Sequence, residues 1–491
     1  MRKKQIFIVA ILSLLSVSAM AQKKWTLSEC IDYALEHNIS LEQLELSTSQ
    51  SEIELNTAKN SRLPSLSASL GASSYFGRGP SRDGTYVDNT QISTSANISA
   101  DLPIYNGGSI KNNIIASELN LKSAIAQYDA AKEDISLQIV SLYLQVLYSK
   151  ELYRVAENQL ELTSSYSVRS KILLENGKSS EADYYEALSL EAKDKLTLSQ
   201  MKSQLAINLL NLSQALNLDN SSDFDVATPD ISSFDSMIIS PLESSEQVYD
   251  YAVENRPDIL SSEYTLESLE YQHKVIKAST LPSINLSGGY SNSYYNSFTE
   301  DAVNERFREQ MRQNGSETVG LSISIPIFNR FATRNRLRSS KISMRNQELA
   351  IKDKKVNLYK QIEQAYQNAV LSRDNFVASQ SSLTSSQKAF EYAKIKADEG
   401  RSTVFDFNDS KNRLISSESE LLKAKYEYIF NKKILDFYRG VSLVEISNAN
   451  KGLKNLLPLL ASGAKPLVKT NDFYQPKGRA FSKKALTKVI F

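Results

Sequence analysis

Cysteine is nearly absent from this chain: Cys30 stands alone among 491 residues, so no disulfide can close within it. It reads as a residue packed on a helix face. Histidine is almost as scarce, with two, and tryptophan is single. His37 and His273 read as surface residues, and no metal site or cofactor is expected. The chain has no Gly-rich phosphate loop, no Gly-x-Ser-x-Gly and no His-Glu-x-x-His, which removes the usual sequence grounds for an enzyme. Neither sign of charge dominates. Lys and Arg number 57 against 56 Asp and Glu, a net charge of +1 that leaves no basic face for nucleic acid. With only 16 Gly and 11 Pro, turns are few and elements must be long. The mean hydropathy of −0.34 excludes a bundle of transmembrane helices. It does not exclude a β-barrel, whose strands are apolar only at every second residue.

The N-terminus, "MRKKQIFIVAILSLLSVSAMAQKK", joins a basic start (Arg2, Lys3, Lys4) to an apolar core and a small-x-small pattern at Ala19-Met20-Ala21. The core is short for a stable membrane anchor. Residues 1–21 are therefore expected to be a cleaved signal peptide, with the mature chain starting near Gln22. No Cys follows that site, so no lipid attachment is expected there.

The chain repeats itself. "LPSLSASLGASSYF" begins at Leu63 and "LPSINLSGGYSNSYY" at Leu281, and 281 − 63 = 218. "YALEHNI" at Tyr33 and "YAVENRP" at Tyr251 keep the same spacing. "DLPIYNGGS" and "SIPIFNRFA" align Pro103 with Pro326, a spacing of 223, which "ENGKSSEAD" at Glu175 and "DEGRSTVFD" at Asp398 share. Four landmarks in one order define a tandem duplication. A first repeat is expected over 22–217, a linker over 218–244, a second repeat over 245–440 and a basic tail over 441–491.

Within each repeat a short amphipathic helix comes first (about 26–37 and 245–254). A longer one follows and is halted at Pro64 or Pro282, since the residue before proline is pushed out of the α region. Period two then takes over. Leu66, Ala68, Leu70 and Ala72 alternate with serines and Gly71, and Ile92, Ala96, Ile98, Ala100, Leu102 and Ile104 do the same on the return. In the second repeat Ile284 and Leu286 begin one run, and Val319, Leu321, Ile323, Ile325 and Ile327 line another. Four strands are predicted, at about 65–76, 91–104, 283–295 and 318–328. Two readings fit them: a sheet laid on helices, or a lipid-facing wall with a polar lumen. The signal peptide favours the second, as do Tyr75, Phe76, Tyr86, Tyr290, Tyr294 and Tyr295 near the outer loops. Four strands cannot close a membrane barrel, which needs roughly eight. Copies must then share one, as a dimer with eight strands or a trimer with twelve.

After each Pro-Ile-aromatic-Asn junction the period becomes seven. No Gly or Pro interrupts Asn329 to Glu399, enough for roughly 105 Å of helix. Ile362, Ala369, Phe376, Leu383, Phe390 and Ala397 mark one seam, and Phe407, Leu414, Leu421, Tyr428 and Leu435 the returning one. Ile139, Val146, Tyr153 and Leu160 repeat the pattern in the first half. Two antiparallel helical hairpins are predicted, about 109–217 and 329–438. At the junctions, Gly107-Gly108 stand where Arg330-Phe331 stand in the copy, so the two backbones are expected to differ.

This duplicated order resembles the TolC-like outer-membrane efflux proteins, from Trp25 to about residue 447. The resemblance rests on "LPSL" and "LPSI", "LPIYNGG" and "IPIFNRF", and "EGRSTVFDFNDSKNRL". It implies an α+β, mostly α fold: a homotrimer pooling four strands per chain into a twelve-stranded barrel above a periplasmic tunnel of helical hairpins. It also implies an outer-membrane location and an exit duct for efflux or one-step secretion. The partners would be a periplasmic adaptor and an inner-membrane transporter. The linker would girdle the tunnel's middle, and the tail is expected to be partly disordered.

Asp406 and Asp409 are three apart, hence on one helix face. By the resemblance, threefold symmetry would make them two stacked negative rings at the narrowest point, a cation-selective constriction. A solvated helix N-terminus, favoured by the helix dipole, is the plainer reading of the same pair. Asp183, 223 residues before Asp406, matches the family's gate-region aspartate in the first hairpin. Arg401 lies one residue from the family's basic gating position. Gly177-Lys178 and Gly400-Arg401 mark the hairpin tips, where an adaptor would dock. A periplasmic coiled-coil adaptor or scaffold is the rival reading, though it has no need of duplicated strands with tyrosine-rich ends.

Overall fold

The computed structural model describes residues 24–80, 84–218, 224–228, 242–298, 302–399 and 401–441. The expected signal peptide, Gly400, most of the linker and the tail beyond Val441 lie outside them.

The duplication governs every helix. In the first repeat α1 (Leu27–His37), α2 (Ile39–Asn60), α3 (Ser109–Glu175) and α4 (Glu181–Ala215) have 11, 22, 67 and 35 residues. Their copies α5 (Ser245–Asn255), α6 (Pro257–Ala278), α8 (Ala332–Asp398) and α9 (Val404–Tyr438) have the same lengths. Spacing is 218 up to the strands (245 − 27) and 223 after them (332 − 109), so the second outer loop carries the extra residues. The starts are written in the sequence. Thr26, Ser180 and Thr403 each form a capping box with Glu29, Asp183 and Asp406.

The seven-residue seams pack as their period demands. α3 lies against α4, and α8 against α9. Ile139, Val146, Ile362, Ala369, Phe407, Tyr428 and Leu435 are buried. The repeats meet where α3 crosses α6. There small residues let the backbones approach, and Ser123 Oγ lies 3.0 Å from Ser261 O, while Ser268 Oγ donates to Asn120 Oδ1 at 2.6 Å.

Between the helices lies one antiparallel sheet in the order β2–β5–β7–β8, with β2 at Ser65–Tyr75, β5 at Gln91–Asn106, β7 at Ser283–Ser297 and β8 at Ser316–Ser324. Short pairs accompany it. β1 (Lys24–Trp25) runs parallel to β6 (Asp225–Val226), and β3 (Arg78–Pro80) pairs with β4 (Tyr86–Asp88) in the first outer loop. The two hairpins share one register: Ser65 faces Asp101, and their copies Ser283 and Ser324 face each other. One sheet face is serine-rich, with Ser67–Ser99, Ser73–Ser93 and Ser291–Ser316 hydroxyls in contact at 2.9, 2.8 and 2.7 Å. The other is aliphatic and bare, with Leu70 and Val319 each 85% exposed. Above Ser291, β7 outruns β8. Its free edge is met by the helix α7 (Phe307–Gln313), where Gln310 accepts from Tyr295 N and donates to Tyr295 O.

Two expectations change. The last strand, expected over 318–328, ends at Ser324. Its counterpart β5 runs on to Asn106 because β7 pairs with it there, across a bulge at Pro103; residues 325–329 have no such neighbour within one chain. Nor do the two junctions differ in backbone. Gly107 and Gly108 take φ of +65° and +82°, and Arg330 and Phe331 take +55° and +60°. Left-handed conformation costs an L-residue about 1–2 kcal/mol. Local contacts offset it: Phe331 lies edge-on to Phe328 at 5.4 Å, the Arg334 guanidinium sits 5.9 Å from its ring, and Asn329 donates to Thr333. Gly107 also answers a close approach, since a Cβ there would meet Ala278 O at 2.7 Å; at Gly108 it would meet only Asn112 Nδ2 at 3.7 Å.

At mid-height Arg256 joins three helices. Its Nε lies 2.9 Å from Asp258 and its Nη1 3.7 Å from Glu133 on α3, and its guanidinium faces Phe437 and Tyr438 at the end of α9. Burial pushes the Glu133 and Asp134 carboxyls up, and Arg256 draws both back. Nearby, Lys150 donates to Val226 O at 2.7 Å and Tyr143 to Ala227 O at 2.6 Å, pinning β6 to α3. Cys30 is fully buried, and burial pushes its thiol up to about 12.

Two outcomes follow for thermal unfolding of the detergent-solubilised protein. Gly107→Ala should cost most, Gly108→Ala about 1 kcal/mol for its left-handed backbone, and Arg330→Gly nothing or a slight gain. Equal losses at Gly107 and Gly108 would refute the close approach. For Arg256→Gln, an acid whose folded pKa is raised supports the fold while protonated and loses that support as pH rises through the raised value. The variant's deficit should therefore grow as pH rises out of the ordinary carboxylate range toward neutrality, and a flat deficit over that range would reject the assignment.

Candidate functional site

The hairpin tips are built by the same chemistry twice. α3 ends at Asn176, and Gly177 at φ +69° lets Lys178 N donate to Leu173 O and Gly177 N to Leu174 O, a Schellman closure. Arg401 N donates to Lys396 O, the same bond 223 residues on. Ser180 and Thr403 then restart the chain as α4 and α9, which puts Asp183 and Asp406 at the third residue of each helix.

That position gives both aspartates a structural task. Asp183 Oδ2 accepts from Ser180 N, Ser180 Oγ and Ser179 Oγ, and the Ser180 bonds hold its carboxyl below the usual carboxylate range. Asp406 Oδ2 accepts from Thr403 Oγ1 at 2.8 Å and Thr403 N at 3.4 Å. Asp409, one turn on, pairs with Arg413 at 2.9 Å. Arg401 turns to Glu399 at 3.2 Å and does not meet Asp183 within the chain. The helix-start reading of Asp406 is thus realised.

What joins the two hairpins near their tips went unread in the sequence. Arg169 on α3 grips both the carboxylate and the carbonyl of Asp398 on α8. One turn inward, Tyr166 stacks on Phe407 at 4.5 Å, and Phe390 leans on the same ring at 5.5 Å. A cavity of about 380 Å³ lies among Tyr166, Arg169, Lys394, Asp398 and Phe407. Deeper still, Lys411, only 2% exposed at its side chain, meets Asp194 on α4 at 3.1 Å. Burial lowers the Lys411 pKa while Asp194 raises it, and Asp194 also accepts from Thr163 at 2.7 Å and Gln159 at 3.2 Å. The signal for Lys411 was available: it interrupts the stripe Val404, Phe407, Lys411, Leu414 at core spacing.

Elsewhere His37 stacks on Tyr33, and His273 Nδ1 lies 3.2 Å from Ser340 Oγ. Among the described residues no cluster of His, Cys, Asp and Glu is placed to hold a metal ion, and no helix is long and apolar enough to cross a membrane. The strand junctions place Pro64 and Pro282 just before β2 and β7, Pro103 at the β5 bulge, and Pro326 beyond the end of β8.

Known proteins share this arrangement. A family model described as outer membrane efflux protein matches residues 30–218 and 248–439, one segment per repeat. CyaE of Bordetella pertussis is 24% identical over 356 residues, 72% of this chain and 71% of CyaE. TolC of Vibrio cholerae is 20% identical over 342 residues, 69% of this chain and 75% of that protein. Among solved structures, CusC, described for its transmembrane channel formation, superposes with a TM-score of 0.70 at 20% identity, covering 85% of this chain and 92% of CusC. Since the two matched segments take up most of its length, the chain belongs to the outer membrane efflux protein family, and its place is the outer membrane.

Proposed function

We propose that three copies of this chain close one twelve-stranded barrel and continue below it as a helical tunnel. The assembly serves as the exit duct of an efflux or secretion system, joined through a periplasmic adaptor to an inner-membrane transporter. One observation carries the reading: the sheet has a bare aliphatic face and two open edges, β2 and β8, which cannot stand in lipid with backbone groups unpaired. The repeat supplies a partner for them. β5 pairs with β7 so that Asp101 faces Ser287. Moving β5 forward by 223 and β7 back by 218 sets Ser324 of β8 opposite Ser69 of the partner subunit. Residues 325–329, without a neighbour in one chain, would then gain the ladder that Leu102–Asn106 have on β7.

At the other end, Asp406 and Asp409 would form stacked rings around the axis, with Asp183 and Arg401 close by. The caps that engage Asp183 and Asp406 fix where their charges stand, which supports this reading. Gly177, Lys178, Gly400 and Arg401 would present the tips to the adaptor. The serine-rich sheet face would line a wet lumen without a substrate pocket.

In a Cys30→Ala background, Ser324→Cys with Ser69→Cys should crosslink into a ladder ending at three chains, since directly opposed residues meet disulfide geometry. Ser324→Cys with Leu70→Cys points to opposite faces and should not. A ladder ending at two, or efficient crosslinking of the second pair, would refute the trimer or the register. For the constriction, Asp406→Asn with Asp409→Asn keeps an oxygen for the Thr403 cap while removing charge. Planar-bilayer recordings should show cation preference falling by about threefold or more, with weaker divalent block. Unchanged selectivity would reject the rings.

A further inference from the structure

The start of α8 concentrates positive charge on a short stretch of helix. Arg330, Arg334, Arg336, Arg338, Lys341 and Arg345 fall within 16 residues, and no acid intervenes until Glu348. All six are exposed, in a chain whose net charge is +1. The first repeat lacks the feature: its counterparts, 223 residues earlier, are Gly107, Lys111, Asn113, Ile115, Glu118 and Lys122. The duplication kept the helix and its length but not this surface.

Spacing puts four of the six on one stripe. Arg334, Arg338, Lys341 and Arg345 follow one another by four, three and four residues, which is one helix face. That face is not the one packed on α6, where Ser340 meets His273 and Gln347 donates to Ser262 O. Two heptads below Arg345, Tyr359 on the same stripe meets Tyr249 of α5 edge-on at 5.3 Å. Among the described residues only Arg345 of the stripe has an ion-pair partner, Glu348. The neighbour expected in the trimer would leave the stripe clear as well. On α3 the residues facing α6 are Ala116, Asn120 and Ser123. Their counterparts on α8 are Ser339, Ser343 and Asn346, none of them a cation.

The stripe begins where the apolar band of the sheet ends. Ile327, Phe328 and Phe331 are 94%, 70% and 57% exposed, immediately beyond the last strand. A cavity of about 300 Å³ opens between the end of α6 and this segment, lined by Thr280, Ile327, Phe328, Phe331 and Arg334 among others. One wall offers rings and an aliphatic chain, and the rim offers a guanidinium and a hydroxyl. Guanidinium groups match phosphate oxygens bidentately, and aromatic side chains settle at the level of lipid headgroups.

We infer that the foot of the second repeat, from Ile327 to Arg345, is a binding site for an anionic phospholipid of the membrane's periplasmic leaflet. The phosphate lies against Arg334 and its neighbours in the stripe, and an acyl chain lies along Ile327 and Phe328. One such site per chain would alternate around the barrel with the foot of the first repeat, where Lys111, Glu118 and Lys122 replace the run of cations. The inference rests on the barrel proposed above, which sets this junction at the membrane surface.

Native mass spectrometry of the full-length protein in nonionic detergent tests it, with dioleoyl-phosphatidylglycerol titrated against dioleoyl-phosphatidylcholine. The wild type should prefer the glycerol lipid by at least about tenfold, each arginine or lysine near a membrane surface adding to the attraction. The variant Arg330→Gln/Arg334→Gln/Arg338→Gln/Lys341→Gln should lose that preference. A control with four cations removed lower on the helix (Lys352→Gln/Lys360→Gln/Lys388→Gln/Lys396→Gln) should keep it. No preference in the wild type, a preference retained by the first variant, or equal loss in the control overturns the site. So does displacement of the lipid by inorganic phosphate at equal concentration, which would make it a site for free phosphate. The same spectra report the oligomer. A wild type without any oligomer overturns the barrel and this site together, whereas an intact trimer without lipid preference overturns the site alone.

Discussion

A backbone amide in hydrocarbon has no water to turn to, so a sheet that enters a membrane cannot end in an unpaired strand. Among the described residues four strands are long enough for the task, and β2 and β8 each keep one free side. The rest of the architecture answers that shortage. α7 and its flanking loop satisfy the top of β7, where β8 stops short, through Gln310, Asn304 and Asn314. Lower down no element among the described residues reaches the open edges, and the aliphatic side chains beside them remain bare. Residues 325–329 run on from β8 without a ladder among the described residues, as the proposed barrel asks of a segment whose partner belongs to another copy.

Duplication makes such closure possible without new surfaces. The joint between β5 and β7 is already a joint between repeats, so the same geometry can be reused between chains. The reuse extends to the junctions. Arg330 and Phe331 hold a conformation suited to glycine because the helix below and the strand above are copies of the elements that Gly107 and Gly108 link in the first repeat. The strain is modest against the packing of two 67-residue helices, and ring contacts and the Asn329–Thr333 bond take up part of it. Side chains at those positions also gave the second repeat something to vary, which the cationic stripe below them exploits.

Much of this was legible before any coordinates. Period two, period seven and the proline stops fixed the order of elements, because each is a local consequence of burial on one face. The end of β8 was not legible, since in the proposed barrel its length depends on a neighbour from another copy. The left-handed Arg330-Phe331 pair was not legible either: residue preference argues against it, and tertiary fit prevails. At the tips, the aspartates could be found by spacing, whereas Arg169 and Asp398 stand 229 residues apart and carry no pattern that links them. Lys411 lay between these cases, a visible break in an apolar stripe whose partner, Asp194, only the fold identifies.

The distribution of contacts along the hairpins bears on how the tunnel can work. At mid-height Arg256, Tyr143 and Lys150 bind several helices and the inter-repeat strand into one packed layer. Toward the tips that layer thins to the Lys411–Asp194 pair, then to the Tyr166–Phe407–Phe390 cluster, and last to the grip of Arg169 on Asp398. Beyond it lie the caps, and a cap stabilises its own helix without tying it to another. Local stability therefore falls toward the tips, the end at which the proposed duct would dock its adaptor and open. The charges of Asp183 and Asp406 sit at that end on helices that keep their shape through their own caps. In the proposed duct, a tip built in this way would swing as a rigid piece, carrying its charge with it, while the seams above stay closed.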